Sequence, residues 1–178
     1  MHDEKNLLEG AHRFDSNALE EIYDQFSPGI YRYAVRLLGN VDVAEECAAE
    51  TFSRFLSALK QKNGPARYLK AYLYRIAHNW ISDYYRKSGT VVSLEEVEES
   101  QGETNVGHTM MEDFLEHGKV RLALASLTPD QRQVIVLKYL EGWNNQQIAN
   151  VLEKPVGSIK SLQHRALQSL RKYLEGRQ

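Results

Sequence analysis

The sequence has few cysteines and prolines and no long apolar run. Its single cysteine, Cys47, excludes an internal disulfide, and without a second cysteine or a nearby pair of histidines it makes no zinc site. We therefore expect a small buried core thiol and no bound metal. Four prolines in 178 residues, with 42% hydrophobic residues, argue against a disordered chain and favour a folded globular protein.

Two further absences bear on the location and activity of the protein. No stretch approaches the roughly 18 apolar residues that a membrane-spanning helix requires, and Met1–Lys5 does not begin a secretion signal. We expect a cytoplasmic protein with no membrane insertion of its own. The sequence also has neither a glycine-rich loop that would cradle phosphates nor a nucleophile and histidine at a recognisable spacing. We therefore expect no enzymatic activity and no cofactor.

Charge is unevenly distributed, although the formal net charge is only −2. Residues 1–53 carry 4 basic against 11 acidic side chains, and residues 54–87 carry 8 against 1. Residues 88–118 carry 0 against 8, and residues 119–178 carry 10 against 4. Basic blocks of this size supply the phosphate attraction of nucleic-acid-binding proteins, although a solvated surface gives similar counts. Charge alone therefore leaves both interpretations open.

The acidic stretch 88–118 separates two segments with regular apolar patterns. It has no Lys or Arg, and its first part has too few apolar residues to offset the cost of ordering the chain. We predict a flexible acidic linker at 88–118, between one domain at 1–87 and a second domain at 119–178.

The first domain is predicted to be entirely helical. Apolar residues recur at helical spacing on both sides of Pro28 and Gly29, which we expect to interrupt the helix, and Gly39 supplies a stop signal. A further helix is predicted to end near Leu59. The pattern then runs unbroken from Pro65 to Lys87, with proline in the first helical turn.

The segment from Pro65 to Lys87 has two distinct faces. One face is an apolar stripe that we expect to lie in the core. The other face combines polar, aromatic and basic residues, as in proteins that stack single-stranded bases on aromatic rings and bind phosphates with cations. The alternative is an ordinary amphipathic helix with an Asp83–Lys87 ion pair. We call this face the basic-aromatic surface, and its members are Lys70, Tyr74, Arg75, Asn79, Asp83, Arg86 and Lys87.

The second domain contains the pattern of a helix-turn-helix. Thr128-Pro129-Asp130-Gln131 is typical of a capped helix start, Gly142 ends that helix, and Asn144 offers a second cap. A final helix from Val156 would enter the major groove of duplex DNA. The alternative is a three-helix interaction module with a solvated basic face. We call the predicted DNA contacts of this helix the recognition set, which comprises Ser158, Lys160, Ser161 and His164 for bases, and Arg165, Arg171 and Lys172 for phosphates.

Taken together, these segments resemble the extracytoplasmic-function (ECF) group of bacterial sigma factors, which consist of conserved regions 2 and 4 with little else. The resemblance spans nearly the whole chain and is carried by motifs in the expected order. Glu153 departs from the family, which often has glycine in this turn, and Ala49 stands where the family often has glutamine. The motifs are Ala44–Phe52, Tyr72–Asn79, Asp83–Lys87, Ile148-Ala149, Val156–Ser161 and His164–Ala166.

This resemblance implies a role for each segment. The basic-aromatic surface would bind the melted −10 strand, the loop Gln61–Ala66 would capture a flipped base, and the recognition set would read the −35 duplex. The acidic linker would thread through the polymerase. An anti-sigma factor is the usual regulator in the family. Core RNA polymerase would bind an acidic patch on a helix of region 2, and the members of this patch are Glu45, Glu46, Glu50 and Phe52.

Two other functions compete with promoter-specific transcription initiation. A stand-alone helix-turn-helix regulator would use its first domain to sense a ligand or to dimerise, and would not need the basic-aromatic surface. An adaptor or anti-sigma-like interaction protein would bind no promoter.

Overall fold

The computed structural model describes residues 3–88 and 118–176, which contain helices and no strand, and the predicted all-α class is confirmed. The predicted linker lies almost entirely outside these residues. No described helix is both long and apolar enough to cross a membrane. The first bundle comprises α1 (Glu4–His12), α2 (Ser16–Leu38), α3 (Val41–Lys60) and α4 (Leu69–Ser88). The second bundle comprises α5 (118–125), α6 (Pro129–Ile135), a π-helical turn (Val136–Leu140), α7 (Asn145–Leu152) and α8 (Val156–Glu175).

The core of the first bundle lies between α2, α3 and α4, where Ile30, Phe55 and Leu73 are buried. Cys47 is fully buried in this core, as predicted, and burial raises the pKa of its thiol to about 12. The predicted stop at Gly39 is also confirmed, because α2 ends at Leu38 and α3 begins at Val41. Gly39 has a left-handed φ of 68°, and the Asn40 side chain accepts a hydrogen bond from the Val43 amide at 3.0 Å.

The predicted interruption at Pro28 and Gly29 is wrong, because α2 continues through both residues. Proline removes one main-chain donor, and the cost is reduced here because Pro28 and Asp24, four residues earlier, are exposed to water. Gly29 is required for close packing. A Cβ atom at this position would lie 2.7 Å from the hydroxyl of Tyr74 on α4.

The predicted helix start at Pro65 is also wrong, since α4 begins at Leu69. Tyr68 has a φ of +56°, which no α-helical residue adopts, so it ends the loop that precedes the helix. The amide of Leu69 donates to the Glu4 carboxylate at 2.8 Å, and His12 donates to the carbonyl of Pro65 at 3.0 Å. Helix α1 therefore fixes both ends of this loop from a distant part of the sequence.

The predicted helix starts of the second bundle are confirmed. Thr128 with Gln131, and Asn144 with Gln147, form reciprocal capping boxes at the starts of α6 and α7. The predicted single helix up to Gly142 is instead an α-helix that widens into a π-turn, in which the Glu141 amide donates to the Val136 carbonyl at 2.9 Å. This turn carries Glu141 and Trp143 toward the first bundle.

We predict that Glu4→Ala lowers the free energy of unfolding by about 1 kcal/mol, because the first amide of α4 loses its charged acceptor. Urea denaturation followed by circular dichroism measures this change. Glu9→Ala is the matched control, since Glu9 makes only an exposed 4.0 Å pair with Lys5 in the same helix. Equal losses in the two variants would contradict the capping role.

Candidate nucleic-acid interface

The basic-aromatic surface lies along α4, and the second bundle covers its first half. Tyr74 is only 2% exposed, because its ring packs between the Tyr33 ring of α2 and the Trp143 ring, at centroid distances of 5.4 and 4.8 Å. The Lys70 ammonium group lies 4.9 Å from the Trp143 centroid, within cation–π distance. Aromatic and cationic groups that were predicted to bind bases are thus already in contact with an aromatic ring of the same chain.

Arg75 contacts the second bundle through its guanidinium group. It donates to the main-chain carbonyl of Asn150 at 2.7 Å, and its Nε lies 3.6 Å from the Glu153 carboxylate. Glu153 ends α7 with a left-handed φ of 53°. This conformation explains why glycine suits the position, and a side chain there adds strain.

A buried carboxylate completes the contact between the bundles. Glu141 accepts from Arg36 on α2 at 2.5 Å and from the Tyr74 hydroxyl at 3.3 Å. Its side chain is 6% exposed, and burial together with the Glu141 charge and hydrogen bond raises the pKa of Tyr74 well above its usual value. We call the contacts of Lys70, Tyr74 and Arg75 with Glu141, Trp143 and Glu153 the seam.

The second half of the basic-aromatic surface is open to solvent. Asn79, Arg86 and Lys87 are exposed. Asp83 forms an ion pair with Arg86. The Asp83–Lys87 ion pair that was predicted for an ordinary amphipathic helix is therefore replaced by this one. Beside the covered half, a cleft of about 550 Å³ is lined by Arg67, Tyr68 and Tyr72 among others.

His78 lies on α4 beneath the second bundle, and it is nearly fully buried. Burial lowers the pKa of His78 to about 4. The carboxylates of Asp130 and Glu153 oppose this shift, and the nearby Lys154 ammonium group adds to it. The Nδ1 atom of His78 has no hydrogen-bond partner among the described residues. The imidazole is therefore neutral at pH 7 and acts as a packing group in this arrangement.

The recognition set lies on α8, and all seven of its side chains are exposed. Ile159, Leu162 and Ala166 anchor the opposite face of the helix in the core. The Ser161 hydroxyl donates to the Gly157 carbonyl at 3.1 Å, and Arg165 Nε donates to the Ser161 carbonyl at 3.4 Å. The second bundle thus covers the first half of the α4 surface, while the exposed face of α8 remains accessible.

The acidic patch predicted to bind polymerase lies on α3. Glu45 and Glu46 are exposed, and Glu50 pairs with Arg54 at 2.8 Å. Phe52 is buried, and its ring lies 4.9 Å from the ring of Tyr23, which is 53% exposed. Tyr23 and the exposed Leu56 therefore present the apolar part of this surface, in place of Phe52.

Sequence reasoning missed Trp143 and Arg132 entirely. Trp143 directly follows the helix-ending Gly142, and a large aromatic residue in a turn is a usable signal that the turn packs against something. Arg132 has no such signal, since its position among polar residues predicts an exposed side chain. It is nevertheless 4% exposed, between α6 and the end of α2.

Residues 22–90 match the family Sigma-70 region 2, and residues 123–172 match the family Sigma-70, region 4. The ECF RNA polymerase sigma factor SigW of Bacillus subtilis is 32% identical over 180 residues, with 96% of each chain covered. The ECF RNA polymerase sigma factor BldN of Streptomyces coelicolor is 30% identical over 176 residues. That alignment covers 94% of this chain and 64% of BldN, so the chain spans less than two thirds of that relative.

Two solved structures have similar folds. CnrH, in complex with the cytosolic domain of CnrY, has a TM-score of 0.74 at 22% identity and 97% coverage of both chains, a likeness that shows the fold alone. The sigma factor RpoE of Bartonella quintana, in complex with the anti-sigma factor NepR, has a TM-score of 0.61 at 25% identity. That match covers 90% of this chain and 96% of RpoE.

We predict that acid destabilises the fold through His78. Its pKa is about 4 in the folded chain against 6.5 ordinarily, so protons bind preferentially to the unfolded state. Stability is complete above pH 6.5 and is lost as the pH falls toward 4, by about 2 kcal/mol at pH 5. Urea denaturation between pH 7.5 and 5 should show a smaller loss in His78→Gln than in the wild type. Identical losses would contradict this assignment.

Proposed function

Because the chain belongs to the ECF group of RNA polymerase sigma factors, we propose that it binds core RNA polymerase and directs transcription initiation at specific promoters. The observation that carries this proposal is the similarity to SigW across 96% of both chains, with regions 2 and 4 in the same order. The proposed activity is binding without catalysis. It places the protein on the nucleoid when it is bound to polymerase.

The first bundle would bind the melted −10 strand. The basic-aromatic surface offers aromatic rings for base stacking, worth about 1–3 kcal/mol per base, and cations for phosphates. The loop at 61–68 lies beside its start, with Tyr68 70% exposed and Lys62 in a left-handed conformation. An exposed ring and Arg67 on this loop would support capture of a flipped base, which costs a few kcal/mol of unpairing.

The second bundle would bind the −35 element as duplex. The recognition set lies along one exposed face of a 20-residue helix that follows a capped helix and a tight turn. Ser158, Lys160, Ser161 and His164 stand near its start, where such helices meet base edges. Arg165, Arg171 and Lys172 lie farther along and would contact phosphates.

Two proteins are proposed as partners. Core polymerase would bind the acidic patch on α3, where exposed carboxylates adjoin Tyr23 and Leu56. An anti-sigma factor is the second partner, as the RpoE–NepR complex illustrates for a similar chain.

Reconstitution tests the proposed function. Purified protein and core polymerase are mixed with a library of double-stranded promoters, and transcript starts are mapped. We expect starts that depend on this protein and share sequence elements near −10 and −35. Duplex binding without any protein-dependent transcript would indicate a stand-alone regulator and contradict the proposal.

We predict that Arg165→Ala weakens binding to all duplex sequences alike and lowers the salt dependence by about one phosphate contact. Replacing Lys160 or His164 with alanine should instead relax sequence preference, by about 1–3 kcal/mol for a good base contact. Selection from a randomised duplex library at several salt concentrations measures both quantities. Gln168→Ala, an exposed change on the same helix, is the control. Altered preference in Arg165→Ala, or unaltered preference in both others, would contradict these roles.

A further inference from the structure

We propose that Glu4, on α1, is a specificity-determining residue for the flipped base of the −10 strand. Its carboxylate accepts a hydrogen bond from the exocyclic amino group of adenine, cytosine or guanine, and it disfavours thymine, which has no such group. This inference rests on the proposed function, because it takes the loop at 61–68 as the site of base capture. Glu4 lies outside residues 22–90, which match the region 2 family, so that match assigns it no role.

The cleft of about 550 Å³ beside α4 brings Glu4 together with the base-capture loop. Arg67 and Tyr68 of the loop line this cleft, and so does Tyr72 of α4. Tyr68 is 70% exposed and Tyr72 is half-buried, so both rings have faces on which a base can stack. The volume lies in the range of small-ligand sites. A base that enters this cleft therefore meets two aromatic rings and a carboxylate.

Glu4 is the one carboxylate among the described residues that line the cleft. Its Oε1 accepts from the Leu69 amide at 2.8 Å, which holds the side chain at the start of α4. Its Oε2 has no hydrogen-bond partner among the described residues. A carboxylate repels phosphates, and the cations of Arg67 and Lys70 in the same lining offset this repulsion. One oxygen is therefore available to the edge of a base.

Helix α1 also holds the base-capture loop in place. Leu8 is buried and anchors α1 in the core of the first bundle. His12, at the other end of α1, donates to the Pro65 carbonyl at 3.0 Å. The main chain of residues 64–67 makes no other hydrogen bond to a described residue. Helix α1 therefore sets the position of the loop relative to the Glu4 carboxylate.

The four bases differ in what they present to a hydrogen-bond acceptor. Adenine, cytosine and guanine each carry an exocyclic amino group that donates, whereas thymine carries only carbonyl oxygens in its place. A carboxylate accepts and does not donate, so thymine would set oxygen against oxygen. A site built around a hydrogen bond strongly rejects a ligand that lacks the matching group. Glu4 therefore disfavours thymine at the captured position.

Three substitutions separate base selection from support of the fold. Glu4→Gln retains an oxygen that accepts from the Leu69 amide, and it supplies a donor in place of the second oxygen. Glu4→Ala removes both the cap and the acceptor. Glu9→Gln is the matched control, because it makes the same charge change at an exposed position of the same helix.

The experiment uses core polymerase reconstituted with each full-length variant and a promoter found by the reconstitution above, with its −10 region randomised. Sequencing counts the transcripts from each promoter. We expect the wild type to disfavour thymine at least about fivefold at one position. Thymine use there should rise at least about fivefold in Glu4→Gln, rise less in Glu4→Ala, and stay within about twofold in Glu9→Gln. Preferences at the other positions should not change.

Base preference is a ratio between promoters in one reaction, so a smaller amount of folded protein does not alter it. A merely structural role for Glu4 predicts fewer transcripts from Glu4→Ala with unchanged preference. Unchanged thymine use in both Glu4 variants would overturn the base-selecting role and leave the proposed function intact. Absence of transcripts that depend on the wild-type protein would overturn the proposed function itself.

Discussion

The arrangement of the two bundles depends on one buried guanidinium, that of Arg132. It donates five hydrogen bonds, which are accepted by four main-chain carbonyl oxygens and the Tyr85 hydroxyl. One of these carbonyls, Leu37, belongs to the last turn of α2, where helical carbonyls lack a main-chain donor and attract positive charge. Tyr85 on α4 donates to the same carbonyl. A single side chain thus joins α6 to α2 and α4.

The other contacts between the bundles are polar and apolar together. Beside Arg132 the polar contacts include the seam, the Arg36–Glu141 pair and a 3.4 Å hydrogen bond from Gln133 to Ser82. Buried apolar residues of the two bundles also pack in one continuous cluster. Every group that α4 uses in the seam also has a natural partner in nucleic acid, since phosphate replaces carboxylate and a base replaces indole. If the proposed strand bound there, the α4 groups of the seam would therefore keep polar and aromatic partners.

Local structure was predictable from the sequence because its signals act over a few residues. Capping boxes at Thr128 and Asn144 and the left-handed Gly39 gave correct boundaries, since each depends only on neighbouring side chains and main-chain amides. The errors arose where distant residues decide. Helix α4 begins at Leu69 because Glu4 supplies its cap, and Gly29 lies inside α2 at the point where Tyr74 approaches the helix closely.

The candidate site was predictable in composition but not in accessibility. Periodicity places Lys70, Tyr74 and Arg75 on a face distinct from the apolar stripe, and it contains no information about what covers that face. Trp143 and Glu141, from a turn about seventy residues away, cover it. The same limitation applies to His78, which is buried beside Asp130, Glu153 and Lys154 of the second bundle.

The distance between the bundles, measured in the free chain and in the promoter complex, tests the central claim most directly. Spin labels at Ser57→Cys on α3 and Gln168→Cys on α8 occupy exposed positions, and the buried Cys47, with its raised pKa, remains unlabelled. The account predicts a single short distance for the free protein and a longer one with core polymerase and melted promoter DNA. An unchanged distance, with the promoter bound, would contradict it.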